Sequence, residues 1–170
     1  MAENLTLTSA EAAKLLRKWN EELTALEERE NISREFVASS GEDMEMVRPD
    51  YDYAETQEKI MELEERIRAL KHRLNLFNAN TVIPEFDMTI DQLLIYIPQL
   101  SKKKAKLAQM AAKLPLSREV RYNSSLVEYR YTNYDPEQVK ADLEAVSDEL
   151  SRAQTLLDTA NNTLRFEFEA

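Results

Sequence analysis

The sequence predicts a mainly all-α protein, an elongated antiparallel helical bundle or coiled-coil hairpin of four long helices with a small β-hairpin near residues 118–134. Two observations carry this prediction. Apolar residues recur at alternating spacings of three and four positions, which places them on one side of a helix. The 170 residues also include a single glycine, Gly41, where an average chain of this length has about twelve. So few glycines disfavour folds with many tight turns.

The first predicted helix covers residues 8–39. Thr8 and Glu11 have the spacing of a capping box, in which the hydroxyl and the carboxylate each bond a backbone N–H of the other residue. We expect the helix to end before Gly41, because glycine readily takes the left-handed conformation that ends helices, and residues 40–51 to form a loop. The predicted seam contains two polar interruptions and consists of Ala12, Leu16, Trp19, Leu23, Leu26, Glu30, Ser33 and Val37.

The second and third helices are predicted at residues 52–80 and 89–114. The second has the most regular seam, and the third begins at Thr89, with Gln92 placed to complete a capping box. Pro98 lies inside the third helix, where a proline removes one hydrogen bond and costs ~3 kcal/mol, so we expect a kink or a break there. The second seam consists of Ile60, Leu63, Ile67, Leu70, Leu74 and Phe77.

Residues 118–134 form the one β-like insert, with a turn predicted at residues 123–125. A fourth helix is predicted at residues 135–164, because Asp135 followed by Pro136 is a strong helix start. After it, residues 164–168 alternate apolar and polar side chains and are predicted to be an extended tail. We expect residues 1–170 to form one domain, and the narrow apolar seams favour self-association.

The segment Leu74-Asn75-Leu76-Phe77-Asn78-Ala79-Asn80-Thr81 resembles a signature of the septicolysin-like family of small bacterial helical proteins. The helix start at Thr89 and the pair Arg121-Tyr122 before a β-like segment occur in an order similar to that in the family. The chain departs from the family pattern at Pro98 and in its Phe166 and Phe168 tail. The resemblance implies a helical protein of largely unassigned role, and the family name implies a membrane-active cytolysin.

The sequence contains no recognisable catalytic, cofactor or metal site. His72 is the only histidine and is predicted to be a solvated surface residue. Di-iron bundles require paired Glu-x-x-His motifs, but Ala69 stands three residues before His72, and no Gly-x-Ser-x-Gly elbow occurs. Glu62, Glu64 and Glu65 are interpreted as a solvated helix face. No cysteine is present.

Two sets of residues are candidate interaction sites. The first is a basic island that either binds an anionic partner, including RNA stacked on tyrosines, or docks onto acidic helix 1 or the 42–52 loop of its own or a neighbouring chain. The second is a set of polar residues. These either are buried and fix the register between packed helices, or donate hydrogen bonds to the unpaired carbonyls at a helix end. The basic island consists of Lys102, Lys103, Lys104, Lys106, Lys113, Arg118, Arg121 and Tyr122, and the polar set of Asn75, Asn78 and Thr81.

These patterns predict a non-enzymatic helical protein that acts through self-association, with a dimer as the first expectation, and through protein contacts. The alternatives are a septicolysin-like membrane-active protein and a nucleic-acid-binding helical arm using the basic island. The net charge of −10 opposes binding to nucleic acid and anionic membranes. No apolar stretch approaches the ~20 residues of a spanning helix, and no export signal is visible, so we expect a cytoplasmic location.

Overall fold

The computed structural model describes residues 4–119 and 127–169, and about two-thirds of them are helical, as the sequence predicts. The helices are α1 (Ser9–Ser33), α2 (Met44–Val47), α3 (Tyr53–Asn80), α4 (Ile90–Ala111) and α5 (Pro136–Thr163). The strands are β1 (Asn4–Thr8), β2 (Val82–Ile83), β3 (Met88–Thr89), β4 (Leu116–Glu119), β5 (Glu128–Tyr131) and β6 (Arg165–Glu169).

The predicted bundle of four long helices with one hairpin describes this fold only in part. The described residues contain a fifth, short helix, α2, inside the predicted 40–51 loop. They also contain three two-stranded antiparallel sheets, which pair β1 with β6, β2 with β3, and β4 with β5. The chain divides into two compact units, one comprising residues up to Asn80 and from Asn161 onward, the other Thr81–Ala160.

In the first unit, α1 and α3 run antiparallel. Near the end of α1, Glu30 accepts a hydrogen bond of 2.7 Å from Gln57, which lies near the start of α3. Further along, the guanidinium of Arg66 lies 4.6 Å from the centre of the Trp19 ring. The buried core of this unit consists of Ala12, Trp19, Leu63, Ile67, Leu70, Phe166 and Phe168.

The predicted extended tail is confirmed as β6, and it pairs with β1, a strand that was not predicted. Leu5 pairs with Phe168 and Leu7 with Phe166, so the apolar side chains of both strands share one face. The Phe166 ring lies 5.0 Å from that of Phe77. A two-stranded sheet is marginal alone in water, and this one is stabilised because its apolar face packs on the core.

The predicted helix starts are confirmed. Thr8 Oγ1 accepts from the Glu11 N–H at 3.2 Å while Glu11 Oε2 accepts from the Thr8 N–H at 2.8 Å. Thr89 and Gln92 form the same reciprocal pair at the start of α4. Asp135 Oδ1 accepts from the backbone of the first turn of α5, which begins at a proline.

Helix α1 ends at Ser33 and not near residue 39, which corrects the predicted boundary. The reason lies in its packing partner. Helix α3 begins at Tyr53, opposite the end of α1, and Val37 beyond that point is 93% exposed. A helix whose apolar side chains find no partner gains little stability from packing, which supplies most helical stability in proteins.

Helix α4 continues through Pro98, so of the predicted kink or break the break does not occur. The helix ends at Ala111, three residues before the predicted end. Pro98 is exposed. Water can therefore reach the Leu94 carbonyl that loses its helical donor to the proline ring. Leu93, Leu100 and Leu107 remain buried at seven-residue spacing on either side of the proline.

In the second unit, α4 and α5 run antiparallel. Tyr96 near the start of α4 donates to Glu149 Oε1 at 2.7 Å, and Glu149 lies halfway along α5. At the other end, Tyr134 just before α5 donates to the Met110 carbonyl near the end of α4 at 2.8 Å. The predicted β-like insert contains strands β4 and β5, paired antiparallel from Leu116 opposite Tyr131. Its predicted turn at residues 123–125 lies outside the described residues.

We expect Leu70→Ala to lower the free energy of unfolding by about 2–5 kcal/mol, because it removes a fully buried side chain and leaves a cavity. Ile95→Ala on α4 is the control. Ile95 is 58% exposed, so its truncation should cost under ~0.5 kcal/mol. Urea denaturation of both variants measures the difference, and equal destabilisation would show that the α3 seam is not the core.

We also expect the capping box of α1 to weaken in acid. The Thr8 backbone N–H donates to the Glu11 carboxylate, and this bond lowers the pKa of Glu11 below its ordinary value of 4.5. The stabilisation is therefore complete above the ordinary pKa and is lost as the pH falls through the lowered one. Thermal melts between neutral pH and pH 3 should show the advantage of the wild type over Glu11→Gln shrinking in acid.

The control for that series is Glu21→Gln, an exposed carboxylate on the same helix with no capping role. Its melting temperature should follow the wild type across the range. A constant gap between wild type and Glu11→Gln at every pH would contradict the capping argument.

Candidate interaction surfaces

The predicted basic island lies along the second half of α4 and in the segment that follows it. Lys102, Lys103, Lys104 and Lys106 are exposed on the helix, and Lys113 is exposed just beyond its end. Arg118 is exposed on β4. The remaining two members of the island, Arg121 and Tyr122, lie outside the described residues.

Part of this island borders an open pocket of about 670 Å³, which we call the α4 pocket. Lys106 and Lys113 line it, whereas Lys102, Lys103 and Lys104 do not. No carboxylate is among its lining residues in the described part of the chain, although the whole protein carries a net charge of −10. The lining consists of Lys106, Gln109, Met110, Lys113, Leu114, Ser117, Arg130, Tyr131, Thr132, Asn133 and Tyr134.

Hydrogen bonds join Met110 of α4 and the segment after that helix to the residues that follow β5. The Tyr134 hydroxyl donates to the Met110 carbonyl at 2.8 Å, and the Thr132 N–H donates to the Pro115 carbonyl at 3.1 Å. The Lys113 N–H in turn donates to the Met110 carbonyl at 3.1 Å. These bonds satisfy groups that a helix end leaves unpaired, and they fix the backbone on both sides of the pocket.

Arg130 is a pocket residue that the sequence reasoning missed. It forms a two-pronged ion pair with Glu119 across the β4–β5 sheet, with N–O distances of 2.8 and 2.7 Å. This hydrogen bonding raises the pKa of Arg130 above its usual value. Because Glu119 neutralises Arg130, the net positive charge of the pocket comes from Lys106 and Lys113, which have no ion-pair partner among the described residues.

The opposite charge is concentrated on one face of α3, which we call the acidic face. Glu58, Met61, Glu62 and Glu65 follow the spacing that aligns side chains on one side of a helix, and all four are exposed. They line an open groove of about 570 Å³ together with Ala54, Gln57, Glu64 and Arg68, so the groove contains four carboxylates and one cation. Glu58, Glu62 and Glu65 have no ion-pair partner among the described residues.

The connection between α1 and α3 forms a third surface, and it is apolar. Val37 is 93% and Met46 is 83% exposed. The Arg48 guanidinium lies 5.9 Å from the centre of the Phe36 ring, which leaves that ring 37% exposed. The exposed apolar side chains of this connection are Phe36, Val37, Met44 and Met46, and Ile32 is exposed in the last turn of α1.

Glu30, predicted only as a polar interruption of the α1 seam, has a defined structural role. Its Oε1 accepts hydrogen bonds from the Tyr51 hydroxyl at 2.8 Å and from Gln57 at 2.7 Å. The bond from Tyr51 raises the pKa of that phenol. Through these hydrogen bonds, Glu30 of α1 binds the end of the α1–α3 connection and the start of α3. The site borders a small polar pocket of about 180 Å³.

The predicted polar set of Asn75, Asn78 and Thr81 does not form one cluster of hydrogen bonds. Asn75 is exposed, and Thr81 contributes its backbone carbonyl to the Ile90 N–H. Asn78 is half-buried, and its Oδ1 has no hydrogen-bond partner among the described residues. Near the end of α3, the side-chain amide of Asn80 donates a hydrogen bond to the backbone carbonyl of Leu76 at 2.7 Å.

Among the described residues, no titratable side chain is buried. Their buried polar side chains are Thr8 and Ser9, neither of which is titratable. His72 is exposed on α3. Within residues 4–119 and 127–169, no three His, Asp or Glu side chains are placed to hold a metal ion. No helix in the same ranges is long and apolar enough to cross a membrane.

Comparison with known proteins gives a structural relative and no functional assignment. No protein-family model and no curated protein shows significant similarity to the chain. The fold is similar to the crystal structure of a functionally unknown conserved protein from Corynebacterium diphtheriae, with a TM-score of 0.58 and 19% sequence identity. The match covers 95% of this chain and 99% of the other. At this level of identity the similarity shows a shared fold.

Proposed function

We propose that the protein acts without catalysis, through self-association and contacts with other proteins. One observation carries this proposal. Nine of the 17 exposed large apolar side chains in the described residues lie in two segments, the one that connects α1 to α3 and the one that connects α4 to α5. Clustered apolar side chains that remain exposed commonly mark protein-interaction sites.

The first of these segments is the α1–α3 connection described above. Its apolar side chains are accompanied by Glu35, Glu42, Asp43 and Glu45, and the acidic character opposes insertion into an anionic membrane. A protein partner or a second copy suits an apolar surface with an acidic rim, because interfaces combine an apolar centre with polar edges.

The second segment joins α4 to α5 and includes the α4 pocket. Leu114 and Tyr131, both in the pocket lining, are each 69% exposed, and Leu116, Val127 and Tyr129 are exposed beside them. Aromatic residues are enriched in protein interfaces.

The membrane-lytic and nucleic-acid-binding alternatives stay predictions. Exposed Tyr131 on β5, which lines the α4 pocket together with Lys106 and Lys113, is the observation that favours single-stranded nucleic acid, since bases stack on such rings. The net charge of −10 opposes it over long range.

Analytical ultracentrifugation tests the proposal. We expect the mass of the wild type to rise above that of the monomer with concentration. A variant combining Val37→Ser, Met46→Ser and Leu114→Ser should sediment closer to the monomer, because it removes apolar side chains from both connections.

The matched control is Ile95→Ser, which removes a side chain that is 58% exposed on α4, outside both connections. It should associate as the wild type does. A monomeric wild type across a hundredfold concentration range, or equal effects in the control and the triple variant, would refute the proposal.

A further inference from the structure

We infer that the α4 pocket of one copy binds the acidic face of α3 on a second copy of this chain. This inference rests on the proposed self-association and names the two surfaces that make it. The pairing depends on complementary charge, on complementary apolar centres and on the absence of competing ion-pair partners within the described chain.

The net charges of the two surfaces are opposite, because the groove of the acidic face has four carboxylates and one cation, Arg68, whereas no carboxylate lines the pocket in the described part of the chain. Lys106 and Lys113 supply the net positive charge of the pocket. Glu58, Glu62 and Glu65 supply the negative charge of the helix face. Complementary surface potentials of this kind speed the encounter of two proteins and fix which patches meet.

Both surfaces also carry an apolar centre. In the pocket, Leu114 lies beside Met110 and Tyr131. On the acidic face, Met61 lies between Glu58 and Glu62 and is 66% exposed. Methionine is unbranched and adapts to irregular gaps, so Met61 can enter an open pocket while the flanking carboxylates reach the lysines.

A second copy suits this pocket better than nucleic acid does. A polyanion approaching the pocket meets the field of a chain with a net charge of −10, which opposes it beyond the local patch. A second copy presents to the pocket a short row of carboxylates around an apolar side chain, which matches the mixed lining. Because the two surfaces differ, a single contact of this kind joins two copies head to tail. If the pocket of each copy binds the acidic face of the other, the two contacts close a dimer.

Reversing the charges on each surface separately tests the inference. Lys106→Glu with Lys113→Glu alters the pocket, and Glu58→Lys with Glu62→Lys alters the acidic face. Each double variant should weaken self-association by at least about tenfold in dissociation constant, because each places like charges opposite one another. Mixing the two variants should restore association, since the altered surfaces are again complementary.

The controls have the same charge change at nearby positions. Lys102→Glu with Lys103→Glu changes the basic island outside the pocket, and Glu21→Lys with Glu28→Lys changes exposed carboxylates of α1. Both should associate as the wild type does. Circular dichroism of every variant checks the fold, which exposed substitutions should leave unchanged.

Three outcomes would decide against the inference in distinguishable ways. A wild type that stays monomeric overturns the proposed function itself. A wild type that associates, with charge-reversed variants that associate equally well, overturns this pairing of surfaces alone. Binding of a fluorescent single-stranded RNA that is lost in the Lys106→Glu, Lys113→Glu variant, with self-association unchanged in that variant, would assign the pocket to nucleic acid instead.

Discussion

The packing of Trp19 joins three elements of the first unit, α1, α3 and β6. This side chain projects from α1 and is 4% exposed. The Phe168 ring of β6 lies 6.4 Å from its ring, and Arg66 of α3 covers it at 4.6 Å. Burial of a tryptophan contributes several kcal/mol, about 3–5 by truncation to alanine, whereas an exposed cation–π contact adds about 0.5–1 kcal/mol. Apolar burial therefore supplies most of the stability at this point, where helix, helix and strand meet.

The placement of charge follows from the same division between seams and outer faces. Because the apolar seams of α3 and α4 are turned inward, their ionisable side chains are left on exposed faces. On α3 this produces a row of carboxylates, and at the end of α4 it produces a group of lysines bordering a pocket. Salt limits the range over which such exposed charges interact to about 8–10 Å. They can therefore orient a contact, while the burial of apolar side chains such as Met61 and Leu114 within that contact supplies most of its stability.

Sequence reasoning succeeded where the signal is local. The capping boxes at Thr8 and Thr89 and the start of α5 after Asp135 each depend on residues within one turn, and all are present. It failed at the end of α1, because the stability of residues beyond Ser33 depends on a facing helix that begins only at Tyr53. Of the kink or break expected at Pro98, the break does not occur, since solvent exposure of the proline side makes the lost hydrogen bond tolerable.

The sequence by itself determined the helical class, the helix starts, the buried seam of α3 and the identity of the cationic side chains. Each of these is encoded by spacing over three to seven residues, which the backbone geometry of a helix converts directly into a face. Tertiary structure decided the pairing of Asn4 with Glu169, the two donors to Glu30, and which lysines border a pocket. These features join residues that are distant in the chain, and they are stabilised only when burial of the whole core offsets the entropy of closing the intervening loops.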